Sequence, residues 1–151
     1  MTEWPLAELI PHAGDMILID QVLSFDEEQI RTCLTVRADG LFNQADGSLP
    51  AWLGIELMAQ SVAAYAGCKA RNNGEAVKLG FLLGSRKFDC NVTRLPLGSE
   101  LHIHAVRSLQ DDNGMGMFEC TLTGPGIEAF ARLNVYCPPN TADYLAEGAP
   151  A

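Results

Sequence analysis

Positive charge is scarce in this sequence: 10 Lys and Arg residues stand against 19 Asp and Glu residues, which gives a net charge of −9. A protein that binds nucleic acid needs a basic surface to meet the phosphates, so we expect no nucleic-acid partner. A long uninterrupted apolar run is also missing, because Glu56 and Gln60 interrupt the most apolar stretch, Leu49 to Gly67. A membrane-spanning helix needs about 20 apolar residues in a row. We therefore expect no contact with a membrane.

The sequence shows neither an export signal nor a Cys-x-x-Cys pair. No basic segment followed by an apolar one occurs at the start. The cysteines lie singly, at Cys33, Cys68, Cys90, Cys120 and Cys137. Scattered thiols without an export signal are typical of a reduced cytosolic protein, so we expect a cytoplasmic protein whose cysteines are small buried hydrophobes. We expect one domain over 1–151, with a core at about 5–137 and a loose tail at 138–151.

Hydrophobic periodicity predicts the order of the secondary structure elements. Met16 to Phe25 is a short apolar run that predicts a strand, and Glu28 to Arg37 alternates as a half-buried strand does. The glycine-rich stretch 38–50 predicts a loop. Residues 51–71 are apolar on all sides and predict one long buried helix. Strand-like runs then follow at Leu79–Cys90, Ser99–Leu109, Met115–Gly124 and Ile127–Cys137.

This order predicts an α+β fold. Strands joined by short turns pair antiparallel, and a sheet of about six such strands has one face to bury. The single long helix must lie against that face, which gives a sheet wrapped around a central helix, the hotdog fold. A helix that is apolar on all sides also needs cover on its far side. A second copy of the chain would supply this cover, so we expect a dimer.

Three segments resemble those of hotdog thioester dehydratases of the FabZ type, which act on 3-hydroxyacyl-[acyl carrier protein]. IPHAGDMILIDQV, at 10–22, is similar to their N-terminal signature, and GIELMAQSVAAYAG, at 54–67, to their central-helix motif. GSRKFDCNVTRLPLGSELHIHAV, at 84–106, resembles the stretch where a basic and aromatic strand leads into a turn. The PHAGDM form is most similar to the dehydratase-like proteins of aryl polyene pigment clusters.

The resemblance implies a dehydratase that acts on acyl thioesters in fatty acid or polyene/polyketide biosynthesis. It implies an acyl carrier protein as partner, with the acyl chain on phosphopantetheine, and neither a cofactor nor a metal. Glu56 matches the family's catalytic acid, and Gln60 its neighbour one turn along the helix. The family's catalytic histidine lies in a Gly-His-Phe-Pro segment just before the helix. Here that loop reads LFNQADGSLPAW, at 41–52, and contains no histidine.

Dehydration needs a base for the α-proton, an acid for the leaving hydroxyl and donors for the thioester oxygen. Burial disfavours an ionised carboxylate, so Glu56 suits the acid; the alternative is a structural acid that faces solvent or pairs with an arginine. His12 is the candidate base or substrate ligand, although it could equally only tether the N-terminal segment. Gln60 and Gly54 are candidate substrate-binding residues. The N–H groups from Ala51 to Gly54 begin the helix and are candidate donors.

Two further groups of residues are candidate sites. Arg86 and Lys87, with Arg94, form a basic cluster that could dock an acidic carrier protein, or could be ordinary solvated charge. His102 and His104 are two positions apart and share one face of a strand. Spacing places no third ligand beside them, so we expect no metal site.

Two other functions use the same residues. A thioesterase could use Glu56 to activate water, which would release a free thiol in place of an enoyl thioester. Alternatively, the loop without histidine marks a non-catalytic hotdog subunit that pairs with an active dehydratase and lends it Glu56 or only a surface.

Overall fold

The computed structural model describes residues 17–136 except 39, 75–80 and 111–114, and leaves out the side chains of 81–83, 86, 109 and 110. His12, Cys137 and the tail 138–151 lie outside the described residues, so the expectations for them stay predictions. The elements are β1 (Gln21–Phe25), β2 (Gln29–Thr35), β3 (Leu49–Pro50), a 3₁₀ turn (Ala51–Leu53), α1 (Gly54–Asn72), β4 (Phe81–Cys90), β5 (Arg94–Leu95), β6 (Glu100–Gln110), β7 (Met115–Gly124) and β8 (Ile127–Tyr136).

Six strands form one antiparallel sheet in the order β1-β2-β6-β7-β8-β4. The α1 helix packs against β2, β6 and β7 at the middle of this sheet. The predicted order of two strands, one helix and four strands is therefore confirmed, and with it the hotdog architecture. No helix in the described part of the chain is long and apolar enough to cross a membrane.

The alternation predicted for β2 is confirmed by the burial of its side chains. Ile30, Thr32 and Leu34 are buried against the helix, whereas Arg31 and Thr35 are exposed on the other face. The turn between β7 and β8 follows from its two central residues, Pro125 and Gly126. Proline fixes φ at the first position, and glycine accepts the φ of 70° at the second, the pattern of a type II turn.

Two details differ from the predictions. The first strand begins at Gln21, because residues 17–20 contact β2 through the Asp20 backbone and side chain without continuing the ladder. The helix begins as a 3₁₀ turn. The two-residue strand β3, which precedes this turn, pairs with the two-residue strand β5 in a separate small sheet. Strands of two residues are too short to produce a period in the sequence.

The described cysteines are free thiols, and two of them match the prediction of buried hydrophobes. Burial raises the pKa of Cys68 to about 11 and that of Cys120 to about 12, so both thiols are inert at neutral pH. Cys33 and Cys90 are only half-buried, on the strands β2 and β4. Burial also raises the pKa of Cys33, with the nearby Asp20 carboxylate adding to the effect.

A buried pair of hydroxyls joins the sheet to the helix. Thr32 on β2 and Ser61 on α1 are both fully buried, and their oxygens lie 2.7 Å apart. The Ser61 hydroxyl donates to the Leu57 carbonyl at 3.0 Å. A hydroxyl has one proton to donate, so Thr32 is the donor in the pair.

Thr32→Val keeps the shape of the side chain and removes this donor. We expect the free energy of unfolding to fall by about 1 kcal/mol, the net value of one buried hydrogen bond. Thr121→Val is the matched control, because Thr121 is exposed on the outer face of β7. Urea unfolding of both variants measures the difference. A loss in Thr32→Val no larger than that in Thr121→Val would show that the pair adds no stability.

Candidate active site

The start of α1 is fixed by short-range contacts with the strands beside it. Ala51 donates its N–H to the Thr93 carbonyl at 3.1 Å, and the paired residues Leu49 and Leu95 are both buried. The first turn of the helix is therefore attached to the small sheet of β3 and β5. This attachment positions every side chain on that turn.

Glu56 lies on this first turn and is half-buried. One turn further, the fully buried Gln60 donates its Nε2 to Glu56 Oε1 at 3.2 Å. At its other end, Gln60 Oε1 accepts the N–H of Leu18 at 2.8 Å. The two helix residues predicted from the motif are therefore in direct contact, and a backbone group from the N-terminal segment completes the chain of bonds.

Gly54 is buried at the beginning of α1, beneath the ring of Phe88. A Cβ built on Gly54 would lie 3.4 Å from two atoms of that ring. Phe88 follows Lys87, whose φ of 57° falls in the left-handed region that residues with a side chain seldom adopt. The backbone pairing of β4 with β8 is irregular at the same place, between Arg86 and Asp89. This bulge brings Phe88 onto the helix start, while Lys87 stays exposed.

Two of the four predicted oxyanion donors are already engaged. The Ala51 N–H bonds the Thr93 carbonyl, and the Gly54 N–H bonds the Ala51 carbonyl within the 3₁₀ turn. Donation from either group to a thioester oxygen would require that bond to be shared or broken. The N–H groups of Trp52 and Leu53 are thus the better candidates for that role.

The loop before the helix, 38–48, is organised around one carboxylate. Asp46 accepts the Ser48 hydroxyl at 2.5 Å and the Ser48 N–H at 3.0 Å, and Arg94 donates to its second oxygen at 2.5 Å. These bonds, the Ser48 hydroxyl foremost, lower the pKa of Asp46 to about 2. Arg94 is thus paired with the loop, so the basic cluster predicted for carrier docking is reduced to Arg86 and Lys87.

Both described histidines lie on β6 and point to the outer face of the sheet, away from α1. His102 is exposed and contacts Glu100 at 3.0 Å, and the intervening Ile103 is buried on the helix side. His104 lies beside Arg31 of β2, and burial, followed by this arginine, lowers its pKa. In the described ranges no three His, Cys, Asp or Glu side chains are grouped to hold a metal ion.

The structure brings Glu56, Gln60 and Gly54 together, with Lys87 one residue from the ring that covers Gly54. Arg86 is placed by its backbone pairing with Arg132 on β8. Sequence reasoning missed Phe88, although the aromatic residue after a basic pair was part of the third matching segment. It also missed Leu18, because a backbone N–H leaves no signal in a sequence.

Asp46 gives a pH-dependent prediction. Its pKa is lowered from 3.8 to about 2, so the stability it contributes is present above about pH 4 and is lost as the pH falls toward about 2. We expect Asp46→Asn to lower the melting temperature, with a gap from wild type that closes below about pH 4. Ser48→Ala should reduce the stability that depends on ionised Asp46 more than Arg94→Gln does, because the Ser48 hydroxyl lowers the pKa of Asp46 more than Arg94 does. Thermal unfolding between about pH 3 and about pH 7 tests this. A gap that does not change with pH would contradict it.

Comparison with known proteins identifies the family. Residues 4–146 match the family model described as ApeP-like, ApeP dehydratase. A chain of the solved dehydratase heterocomplex ApeI:P from Xenorhabdus doucetiae is similar over 97% of this chain and 98% of that one, with 33% identity and a TM-score of 0.86. No curated protein matches the sequence.

More distant structures share the fold alone. The E. coli PaaI protein from the phenylacetic acid degradation operon is 18% identical, with a TM-score of 0.59 over 78% of this chain and 82% of that one. The smu.793 protein from Streptococcus mutans UA159, solved with acetyl CoA, is 14% identical, with a TM-score of 0.60 over 79% and 87% of the two chains. The resemblance predicted from the three sequence segments is confirmed, and this chain belongs to the ApeP-like dehydratase family.

Proposed function

We propose that this chain supplies the general acid, Glu56, to a 3-hydroxyacyl thioester dehydratase that is assembled with a different hotdog subunit. The observation that carries the proposal is the carboxyl of Glu56 at the start of the central helix, bonded to the buried amide of Gln60. The described histidines, His102 and His104, lie on the opposite face of the sheet. An acid with no imidazole on its own side of the sheet among the described residues fits half of a two-residue catalytic site.

A helix strip supports the position that we propose for the partner. This strip is a line of side chains along α1 and the 3₁₀ turn that the chain itself leaves partly uncovered: Trp52, Ile55, Ala59, Ala63 and Ala66. Trp52 is 62% exposed, and Glu56 lies at the same end of the helix. A second hotdog subunit seated on the strip would cover it and reach the acid. The similar chain from Xenorhabdus doucetiae is part of a dehydratase heterocomplex, which supports a pair of unlike subunits.

In the proposed reaction a base acts at C2 of the acyl chain, and an acid acts on the hydroxyl of C3. The base removes the proton from C2, and charge develops on the thioester oxygen, where N–H groups at the helix start stabilise it. Glu56 gives its proton to the hydroxyl on C3, the C3–O bond breaks, and water leaves as the C2=C3 double bond forms. The proton from C2 remains on the base, and Glu56 is left ionised.

The base is assigned to the partner. A second copy of this chain would bring the same loop, 38–48, which holds no histidine. A different subunit with a histidine in the corresponding loop would complete the site. His12 of this chain lies outside the described residues and remains the alternative base.

The substrate is proposed to arrive on an acyl carrier protein. Lys87 is exposed next to Phe88, whose ring covers the helix start, and Arg86 precedes it on β4. An acidic carrier bound to these two cations would place its phosphopantetheine arm near Glu56.

Glu56→Gln tests the acid role. The amide can still accept the bond from Gln60, but it has no proton to give. We expect turnover of a 3-hydroxyacyl thioester by the complex to fall by about 10²- to 10⁴-fold, the usual contribution of a general acid. We expect the melting temperature to hold, because the amide has nearly the same size and still accepts the bond from Gln60.

The matched control is Glu119→Gln, which makes the same change on β7, where Glu119 pairs with Arg132. Detection of the enoyl product separates dehydration from thioester hydrolysis, which releases free thiol. His12→Ala should lower turnover as much as Glu56→Gln only if His12 is the base. Full turnover by the Glu56→Gln complex would refute the acid role.

Reversing both charges, Arg86→Glu with Lys87→Glu, tests the docking face. We expect the KM for the carrier-bound substrate to rise by about tenfold, which corresponds to about 1.4 kcal/mol for the two charge reversals together. The KM for a small thioester analogue should stay constant. Lys69→Glu with Arg71→Glu makes the same change of charge at the far end of α1 and should leave both values unchanged. Equal effects of the two double variants would exclude docking at Arg86 and Lys87.

A further inference from the structure

We propose that an apolar face beside the helix start binds the unlike hotdog subunit and supplies affinity to the complex, while the chemistry remains at Glu56. This loop face consists of Leu41, in the loop before the helix, and Leu97, in the turn between β5 and β6. It adjoins Trp52 at the end of the helix strip. The role rests on the proposed function, since it requires a pair of unlike subunits.

The large apolar side chains that the described part of the chain exposes are concentrated at this end. They are Trp52 at 62%, Leu41 at 58%, Leu97 at 49% and Met115 at 37% exposed. The strand β3, which precedes Trp52, pairs with β5, which precedes Leu97. Leu97 in turn lies over the loop, since a Cβ built on Gly47 would be 3.0 Å from its Cδ2. Single exposed apolar residues need no explanation, whereas a group of them marks an interaction surface.

The loop that carries Leu41 is held by the core and by its own hydrogen bonds. Phe42 packs against the core, and the neighbouring Leu41 is left exposed. Asn43 donates its Nδ2 to the Gly47 carbonyl at 2.6 Å, and the Gly47 N–H donates to the Gln44 carbonyl at 2.9 Å. A side chain presented on a backbone that is already ordered loses less entropy when a partner binds.

The turn that carries Leu97 is attached to the end of β2. Gly98 donates its N–H to the Val36 carbonyl at 2.9 Å, and Val36 donates its own N–H to the Ser99 carbonyl at 2.9 Å. Gly98 has a φ of 84°, which a residue with a side chain seldom adopts. Leu97 is therefore presented from a fixed turn, as Leu41 is from the loop.

Charge decides between the possible occupants of the loop face. Arg94 is the only Lys or Arg within 40–52 and 94–100, and it bonds Asp46 at 2.5 Å. An acidic carrier protein would find no unpaired cation within these two ranges. An apolar face without free charge instead suits the core of an interface between proteins, where charged residues are depleted. Because Trp52 adjoins the face, the subunit that covers the helix strip also reaches it.

Leu41→Ser and Leu97→Ser, singly and together, remove apolar surface without changing Glu56 or Trp52. The probe is the unlike hotdog subunit that copurifies with this chain as an active dehydratase, titrated into the purified chain by calorimetry. We expect Kd to rise by about tenfold for each single variant and by about 10²-fold for the double variant, since each leucine loses apolar contact area. The kcat at saturating partner should stay unchanged, as should the melting temperature of the free chain, because both side chains are exposed.

Met115→Ser is the matched control, since it removes an exposed apolar side chain from β7. It should leave Kd unchanged. Glu56→Gln should give the opposite result to the leucine variants, a loss of turnover with Kd unchanged. This contrast separates affinity from chemistry.

The outcomes also separate the loop face from the proposed function. A Kd of the double variant no higher than that of Met115→Ser would overturn the loop face alone. An unchanged Kd with a raised KM for the carrier-bound substrate would assign the face to the carrier and overturn it as well. So would a double variant that, in sedimentation of the free chain, only dissociates a homodimer of this chain.

The proposed function can fail independently. A fully active Glu56→Gln complex, with Kd raised in the double variant, would overturn the acid role and support the loop face. A chain that is active without any unlike subunit would overturn both.

Discussion

The hydrogen bonds of one buried amide connect the parts of this site. Gln60 has no access to solvent, so its oxygen and its NH₂ group must both find partners inside the protein. The oxygen bonds a backbone N–H of the N-terminal segment, and the NH₂ group bonds Glu56. A buried polar group left without a partner costs about 1–3 kcal/mol, so the fold holds both contacts together. The Glu56 carboxyl is consequently bonded by the same side chain that attaches residues 17–20 to the helix.

The loop before the helix, 38–48, also contains a network of polar side chains. Asp46 accepts hydrogen bonds from both Ser48 and Arg94, so this carboxylate is satisfied by the loop and by β5. Together with the pairing of β3 and β5, this network fixes the start of α1. This segment therefore has a structural role. Its polar residues hold the start of the helix in place.

The sequence was informative where a pattern is local and repeated. The alternation in β2 and the apolar residues of α1 predicted the sheet and the helix, and Glu56 was conspicuous as an acid within an apolar run. Contacts that depend on tertiary structure were not predictable. Gln60 and Leu18 are 42 positions apart, and the bulge at Lys87 arises from the pairing of β4 with β8. Neither has a sequence period, so only the family motif pointed to Gln60 as a functional residue.

Symmetry is the reason that an unlike partner is part of the proposed function. In a two-fold dimer of identical chains, each contact is repeated, so both copies would offer Glu56 and both would offer a loop, 38–48, without histidine. The dimer has two junctions, each between Glu56 of one chain and the loop 38–48 of the other. Neither junction would then gain a base from a loop. A different subunit breaks the symmetry and makes the two junctions unequal. The junction between Glu56 and the partner's loop obtains both an acid and a base, whereas the junction at loop 38–48 obtains no loop histidine. The proposed complex would therefore hold one working site per pair of chains, and the second loop is left to its structural role at the start of α1.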